Sequence, residues 1–522
     1  MLGASGMAAV GPVFFALALF LGSATDGGEG LSFFPVPDAE KEGKSSFWFD
    51  QGMSDIEARL KLQHSTGLAK RVVIFLGDGM GLSTVTAARI YKGQKQRKAS
   101  GEESVLAWDA FPHVSLSRTY GLNVQTSDSA NTATAYLCGV KANYETLGVD
   151  SRIRSGDCHS DPSTHLPSIM QWAQEAGLWT GVVTTTRITD ATPAASYAHA
   201  GYRKWQSSVP EGCAAKDIAY QLVHSTPGSR FKVIFGGGRG MFLDKSMKDE
   251  EGQPGQRADG LNLIQNWKDS KKDSANASYV WTRQQLLGVK PERTGYLLGL
   301  FDREHLPYVP ERSDPDTTKP TLPEMTKVAL DILLRSPSGF VLLVEGGRID
   351  HGHHVTRAGL AMEEALEFDQ AVGDTVRRLG SEDSLIVVTA DHSHTFTMGG
   401  YPKRGNNILG ERRQVTSTAG SSGSLQCVLT SRNYAEMANR WKARTQTPVA
   451  SLPSMSYVQH AAFPARLETH AGEDVAVYAT GPWAHLFSGV HDQTYIPHVL
   501  AYAACIGQFA GDGCHARRAP TR

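Results

Sequence analysis

Short apolar, β-branched runs recur along this 522-residue chain, at Val72–Leu76, Gly181–Thr186, Phe231–Phe235, Phe340–Val344, Leu385–Thr389 and Val475–Ala479. Runs this short, with little alternation, read as strands buried on both faces. Amphipathic stretches lie between them, at Leu166–Ala176, Pro323–Leu334 and Arg357–Leu379, and read as helices. The alternation predicts an α/β fold, a large and mainly parallel central sheet flanked by helices on both faces. Such sheets bind ligands beyond the carboxyl ends of their strands. Two segments break the pattern: the polar Lys245–Lys272, and Tyr401–Pro464, rich in Gly, Ser and Arg. Both read as surface insertions, the second as a small lobe over residues 401–464.

Val13–Leu21 is apolar and runs into the small residues Gly22, Ser23 and Ala24, so residues 1–24 read as a cleaved signal peptide and the mature chain as secreted. Six cysteines in so long a chain make no disulfide scaffold, and no Cys-x-x-Cys pair is present. Asn276-Ala277-Ser278 is a glycosylation sequon. Lys plus Arg total 52 against 53 for Asp plus Glu, which removes any global electrostatic case for nucleic acid or anionic membrane. At the far end the apolar His498–Ala510 is followed by Gly511, Asp512 and the basic tail 516–522, so a lipid-anchor signal is not expected. No other run is long enough for a transmembrane helix. The main domain is read as residues 45–515.

Chemistry-bearing residues gather where the predicted strands end. Gly77-Asp78-Gly79-Met80-Gly81 follows the first run, and Glu345-Gly346-Gly347-Arg348-Ile349-Asp350-His351-Gly352-His353-His354 follows the fourth. Thr389-Ala390-Asp391-His392-Ser393-His394 follows the fifth, and Thr469-His470-Ala471-Gly472-Glu473-Asp474 precedes the last. Glycine lets a backbone approach a ligand closely. Imidazoles mixed with carboxylates suit zinc, and a carboxylate pocket beside them suits magnesium. Asp350 and His354 stand four apart, so on a helical turn they share a face and can hold one ion, with His351 and His353 pointing elsewhere. In Asp128-Ser129-Ala130-Asn131 the residues after Ser129 are small and helix-compatible, which places Ser129 at a helix N-terminus. There it is either a plain cap or a hydroxyl activated by a nearby metal ion to act as a nucleophile.

Taken in order, these five motifs closely resemble those of the animal alkaline phosphatases, from about Trp48 to Cys514. The resemblance implies a homodimer that hydrolyses phosphate monoesters through a phosphoserine intermediate, with two zinc ions and one magnesium ion. It makes Ser129 the nucleophile and Asp350, His354 and His470 the ligands of one zinc. Asp78, Asp391 and His392 match the ligands of the second zinc; Asp78 also reaches magnesium, together with Glu345 and Thr192. Arg203, in Tyr202-Arg203-Lys204-Trp205, matches the phosphate-binding arginine, whose guanidinium fork meets two oxygens at once.

Asp190 departs from the animal pattern, which carries histidine there. It is expected beside the magnesium site, pairing with His351 and raising that imidazole's pKa, with tighter magnesium binding and slower product release as the result. The resemblance pairs Cys158 with Cys213 and Cys505 with Cys514, leaves Cys138 as a free core thiol, and offers no counterpart for Cys427. Calcium carries over only in part. Glu250, the Phe301 carbonyl and Asp302 match three ligands, whereas Lys319 or its neighbours, near Asp314 and Asp316, take the place of the fourth.

Two other readings compete. One is a phosphodiesterase or sulfatase of the same fold, and the other an inactive surface binding protein. Ser129 followed by Ala130, the Arg203 segment and a complete ligand set favour the monoesterase. The alcohol part of the natural substrate is not encoded in a two-metal phosphate clamp.

Overall fold

The computed structural model describes residues 39–97, 99–158, 161–273, 276–312, 317–399, 401–409, 426–427, 468–511 and 514. The strands, in chain order, are β1 Arg71–Gly77, β2 His113–Arg118, β3 Trp179–Arg187, β4 Val233–Gly237, β5 Ala277–Val280, β6 Tyr296–Leu300 and β7 Phe340–Gly346. They continue with β8 Ser384–Thr389, β9 Ser393–His394, β10 Phe396–Thr397, β11 Gln426–Cys427, β12 His470–Ala471, β13 Val475–Thr480 and β14 Gly489–Asp492. Ten of them form one sheet in the order β14-β2-β13-β8-β1-β7-β3-β4-β6-β5. Every pair in it is parallel except the two made by β13. The predicted mainly parallel sheet is therefore present, larger than the six runs alone indicated.

Both faces of the sheet are covered. Val72, Ile74 and Leu76 of β1 belong to one apolar layer, and Val73 and Phe75 to the other. Each such side chain contributes about 1.5–3 kcal/mol on burial. The predicted helices are found at Ile169–Glu175, Leu322–Leu333 and Ala358–Leu379. Local chemistry sets their ends: Thr321 and Glu324 form a capping box for the second, and Gly380 follows the third at φ 65°.

Lys245–Lys272 is more than a surface insertion. Its Arg257 is fully buried, and Trp267 and Leu263 of the Leu263–Ser270 helix join the core. Hydrophilic composition hid this, because the segment is held by ion pairs. Arg257 donates both Nη atoms to Asp217 at 2.8 Å, and Asp217 caps the Ile218–His224 helix. Of the lobe expected at 401–464, only residues 401–409 and 426–427 are described. Ile408 and Leu409 dock against the core, with Ile408 N–H donating to Gln94 at 2.9 Å. The expected signal peptide and the whole basic tail 516–522 lie outside the described residues. Disulfides join Cys158 to Cys213 and Cys505 to Cys514, and Cys138 is a buried free thiol, as the resemblance implied.

Candidate active site

Four neighbouring strands, β8, β1, β7 and β3, deliver their carboxyl ends to one place. Register makes this local: Leu76 lies beside Glu345 and Thr389, and Thr184 beside Glu345. Asp78 follows β1, Glu345 ends β7, Asp391 and His392 follow β8, and Thr192 lies in the Ala191–Ala195 helix after β3. Because β13 runs against its neighbours, its start lies at this same edge. The preceding ribbon pairs His470 of β12 with His394 of β9. Close approach explains the glycines: a Cβ on Gly79, which has φ +67°, would lie 2.5 Å from the His394 ring, and one on Gly81 2.4 Å from Ser393.

The helix Ser129–Cys138 is buried throughout and points its N-terminus into the site. Asp128 is its cap, accepting from the N–H groups of Ala130 and Asn131 at 3.2 and 3.4 Å. Ser129 is thus not the cap, and its Oγ lies 3.2 Å from His392 Nε2. Arg203 donates to Asp128 Oδ2 at 3.0 Å and to Asp190 Oδ1 at 3.2 Å. Burial opposes its charge, yet the carboxylates of Asp128, Asp190 and Asp78 raise its pKa further above the ordinary value.

The described residues contain three groups of His and Asp whose ligand-capable atoms lie within 4.8 Å of one another: Asp350, His354, His394 and His470; Asp78, Asp350 and His392; and Asp190, His305 and His351. The first unites all three expected ligands of one ion and adds His394. The second unites Asp78 and His392, with Asp391 Oδ2 3.0 Å from His392 Nε2. Glu345 accepts from Thr186 Oγ1 at 3.2 Å and from Thr184 Oγ1, and it interacts with the Thr192 hydroxyl.

The electrostatics fit a cation. Burial, then Asp391, Asp350 and Glu345, push the Asp78 carboxyl well above the usual range, and burial pushes Glu345 to about 8. Burial opposes ionisation of Asp350 too, but His354 and His394 outweigh it and hold that carboxyl well below the usual range. Burial, with His392 beside it, lowers His470 to about 4, leaving a neutral ring. The buried Asp78 Oδ1 and Asp391 Oδ2 have no hydrogen-bond donor. Repelling carboxylates, a neutral His470 ring and donor-less oxygens are what bound divalent cations would satisfy.

Asp190 has more partners than the expected His351. Besides Arg203 it faces Arg187 Nη2 at 3.5 Å and His305 Nε2 at 3.6 Å. His351 faces Arg348 Nη1 at 2.8 Å; burial lowers its pKa to about 4, outweighing Asp190, which is grouped with it within 4.8 Å and does raise it. The expected calcium ligands are met by protein cations: Arg239 Nε lies 3.4 Å from Glu250, and Lys319 Nζ 3.3 Å from Asp302 and 2.7 Å from Glu251. Sequence reasoning passed over Glu468, a buried carboxylate that meets His394 Nδ1. Position two residues before His470 was its only signal.

A family model described as alkaline phosphatase matches residues 69–506. The tissue-nonspecific alkaline phosphatase of Felis catus is 46% identical over 485 residues, covering 90% of each chain. That of Homo sapiens is 45% identical over 489 residues, covering 91% of each. The membrane-bound alkaline phosphatase of Bombyx mori is 42% identical over 495 residues, covering 89% of this chain and 86% of its own. Among solved structures, the Thermus thermophilus alkaline phosphatase is similar with a TM-score of 0.58 at 22% identity, covering 85% of this chain and 93% of its own.

Proposed function

The chain belongs to the alkaline phosphatase family and is a phosphoric monoester hydrolase, and we propose that it works through a phosphoserine formed on Ser129. One observation carries this reading: the helix N-terminus that presents Ser129 Oγ is capped by the carboxylate that also holds Arg203.

Arg203 lays its fork along two phosphate oxygens, and Asp128 and Asp190 keep the guanidinium from swinging away. The dipole of the Ser129 helix, positive at this end, favours the same negative charge. Ser129 Oγ loses its proton and bonds to phosphorus in line as the bond from phosphorus to the alcohol oxygen breaks. The alkoxide takes up a proton and leaves. Water then attacks the phosphoserine from the opposite side, restoring the Ser129 hydroxyl and releasing inorganic phosphate.

The residues present fit the implied metals. Asp350, His354 and His470 would hold one zinc, and Asp78, Asp391 and His392 the other. Asp78, Glu345 and Thr192 offer the oxygen donors that magnesium takes. Bound ions supply Lewis acidity for the serine hydroxyl, the attacking water and the leaving oxygen. Calcium is left out of this reading, because Arg239 and Lys319 already neutralise the carboxylates in question.

Export, a homodimer and a glycan on Asn276 complete the reading. Asn276 is exposed, and among the described residues no helix is long and apolar enough to cross a membrane. The test is hydrolysis of a chromogenic phosphate monoester across pH by the wild type, by Ser129→Ala and by chelated protein. Activity that rises above neutral pH, is absent from both controls and returns with zinc plus magnesium supports the reading. Full activity in Ser129→Ala refutes it.

A further inference from the structure

None of the steps above uses Glu468, yet it touches the Asp350 group twice. It is 1% exposed and lies two residues before His470. Its carbonyl accepts from His354 Nδ1 at 2.6 Å, and its N–H donates to the His354 carbonyl at 3.1 Å. Its carboxylate accepts from Thr395 Oγ1 at 2.7 Å and from His394 Nδ1. The other His394 nitrogen, Nε2, lies 2.6 Å from Asp350 Oδ1.

Donor and acceptor roles follow from these partners. A carbonyl only accepts, so His354 carries its proton on Nδ1 and turns the Nε2 lone pair toward the site. Ionised carboxylates also only accept, so His394 donates from both nitrogens and has no lone pair to offer an ion. His394 is therefore a strut between two carboxylates, although its atoms fall within the candidate ligand group. The Gly79 backbone against one side of the ring and His353, 4.9 Å away between ring centres and itself backed by Phe396 at 4.8 Å, keep the strut in place.

We propose that Glu468 is a positioning residue for the Asp350–His354–His470 metal site. Its carbonyl sets the His354 tautomer. Its carboxylate, acting through His394, engages Asp350 Oδ1 and so holds the Asp350 carboxylate beside the Nε2 atoms of His354 and His470, 3.4 and 3.3 Å from its oxygens. This rests on reading those three residues as ligands, which is part of the function proposed above.

The test uses the full chain and zinc alone, in competition with a chromogenic zinc chelator at fixed pH. Glu468→Gln keeps the size, the backbone carbonyl and an acceptor for His394, and removes the charge. One zinc equivalent is expected to bind about 10–100-fold more weakly, the other unchanged. In a His394→Gln background, Glu468→Gln should add little further loss, since the path through the ring is already cut. A merely structural role would instead lower the melting temperature of the metal-free protein and leave zinc affinity alone. Unchanged zinc affinity in folded Glu468→Gln, or losses that multiply in the double variant, would overturn the proposal. Should Glu468→Gln not fold, Thr395→Val, which loosens the same carboxylate, is judged by the same criterion with a smaller loss expected. The two readings fail separately. A wild type that binds zinc tightly without cleaving phosphate monoesters defeats the function alone, whereas an active wild type whose variants bind zinc equally well defeats the role of Glu468 alone.

Discussion

Arg203 donates to Asp128 Oδ2 at 3.0 Å, and Asp128 caps the helix whose first residue is Ser129. Nucleophile and anion-binding fork are thereby set by one carboxylate. A shift of the helix start moves both together, so their spacing is preserved.

Arg203→Lys retains the positive charge but loses the fork. Steady-state kinetics should show kcat/KM down at least about tenfold, roughly 1.4 kcal/mol of transition-state binding, with weaker competitive inhibition by inorganic phosphate. Asp128→Asn should shift both in the same direction by a smaller factor. An unchanged inhibition constant in Arg203→Lys would place the phosphate elsewhere.

Acid should weaken the fold through one half-buried imidazole, that of His199. His199 donates to the Gly148 carbonyl and stacks on His165 at 4.2 Å; burial, with His165 beside it, lowers its pKa from 6.5 to about 4. Between those values the unfolded chain binds a proton that the folded chain does not. Stability therefore rises with pH through this window and is lost as pH falls from 6.5 toward 4. His199→Asn keeps a donor without the titration, and its urea midpoint should vary less between pH 7 and pH 4.5 than that of the wild type. Parallel pH profiles for the two proteins would remove His199 from this effect.

Arg257→Met should destabilise the fold strongly. It leaves the Asp217 carboxylate, now tied to both Nη atoms of Arg257 at 2.8 Å, without its counter-charge. A loss of about 3 kcal/mol is expected by urea unfolding. Adding Asp217→Asn should recover part of it, because the amide oxygen can still cap the Ile218–His224 helix.

The central strands were legible because burial on both faces leaves an unbroken apolar signature, as in Val72–Leu76 and Phe340–Val344. The strands that escaped notice lie away from the centre. β2 alternates buried with exposed or half-buried positions, and β14 at the sheet edge is exposed or half-buried throughout, so neither needs apolar residues at every place. Site residues in Gly-rich or His-rich strings announced themselves, since Asp350 and His354 share one helix. Glu468 did not, because what gives it meaning is His394, 74 residues away in sequence. Asp190 was read only in part for a related reason: its further partners Arg203 and His305 come from other loops, and composition does not say which side chains a fold will turn toward a carboxylate.

The most direct test of the central claim is a rapid acid quench during turnover of a phosphate monoester, followed by peptide mass spectrometry. A phosphoryl group on the peptide containing Ser129, absent from Ser129→Ala, is the predicted result. Phosphorylation at another residue, or turnover that persists in Ser129→Ala, would contradict it.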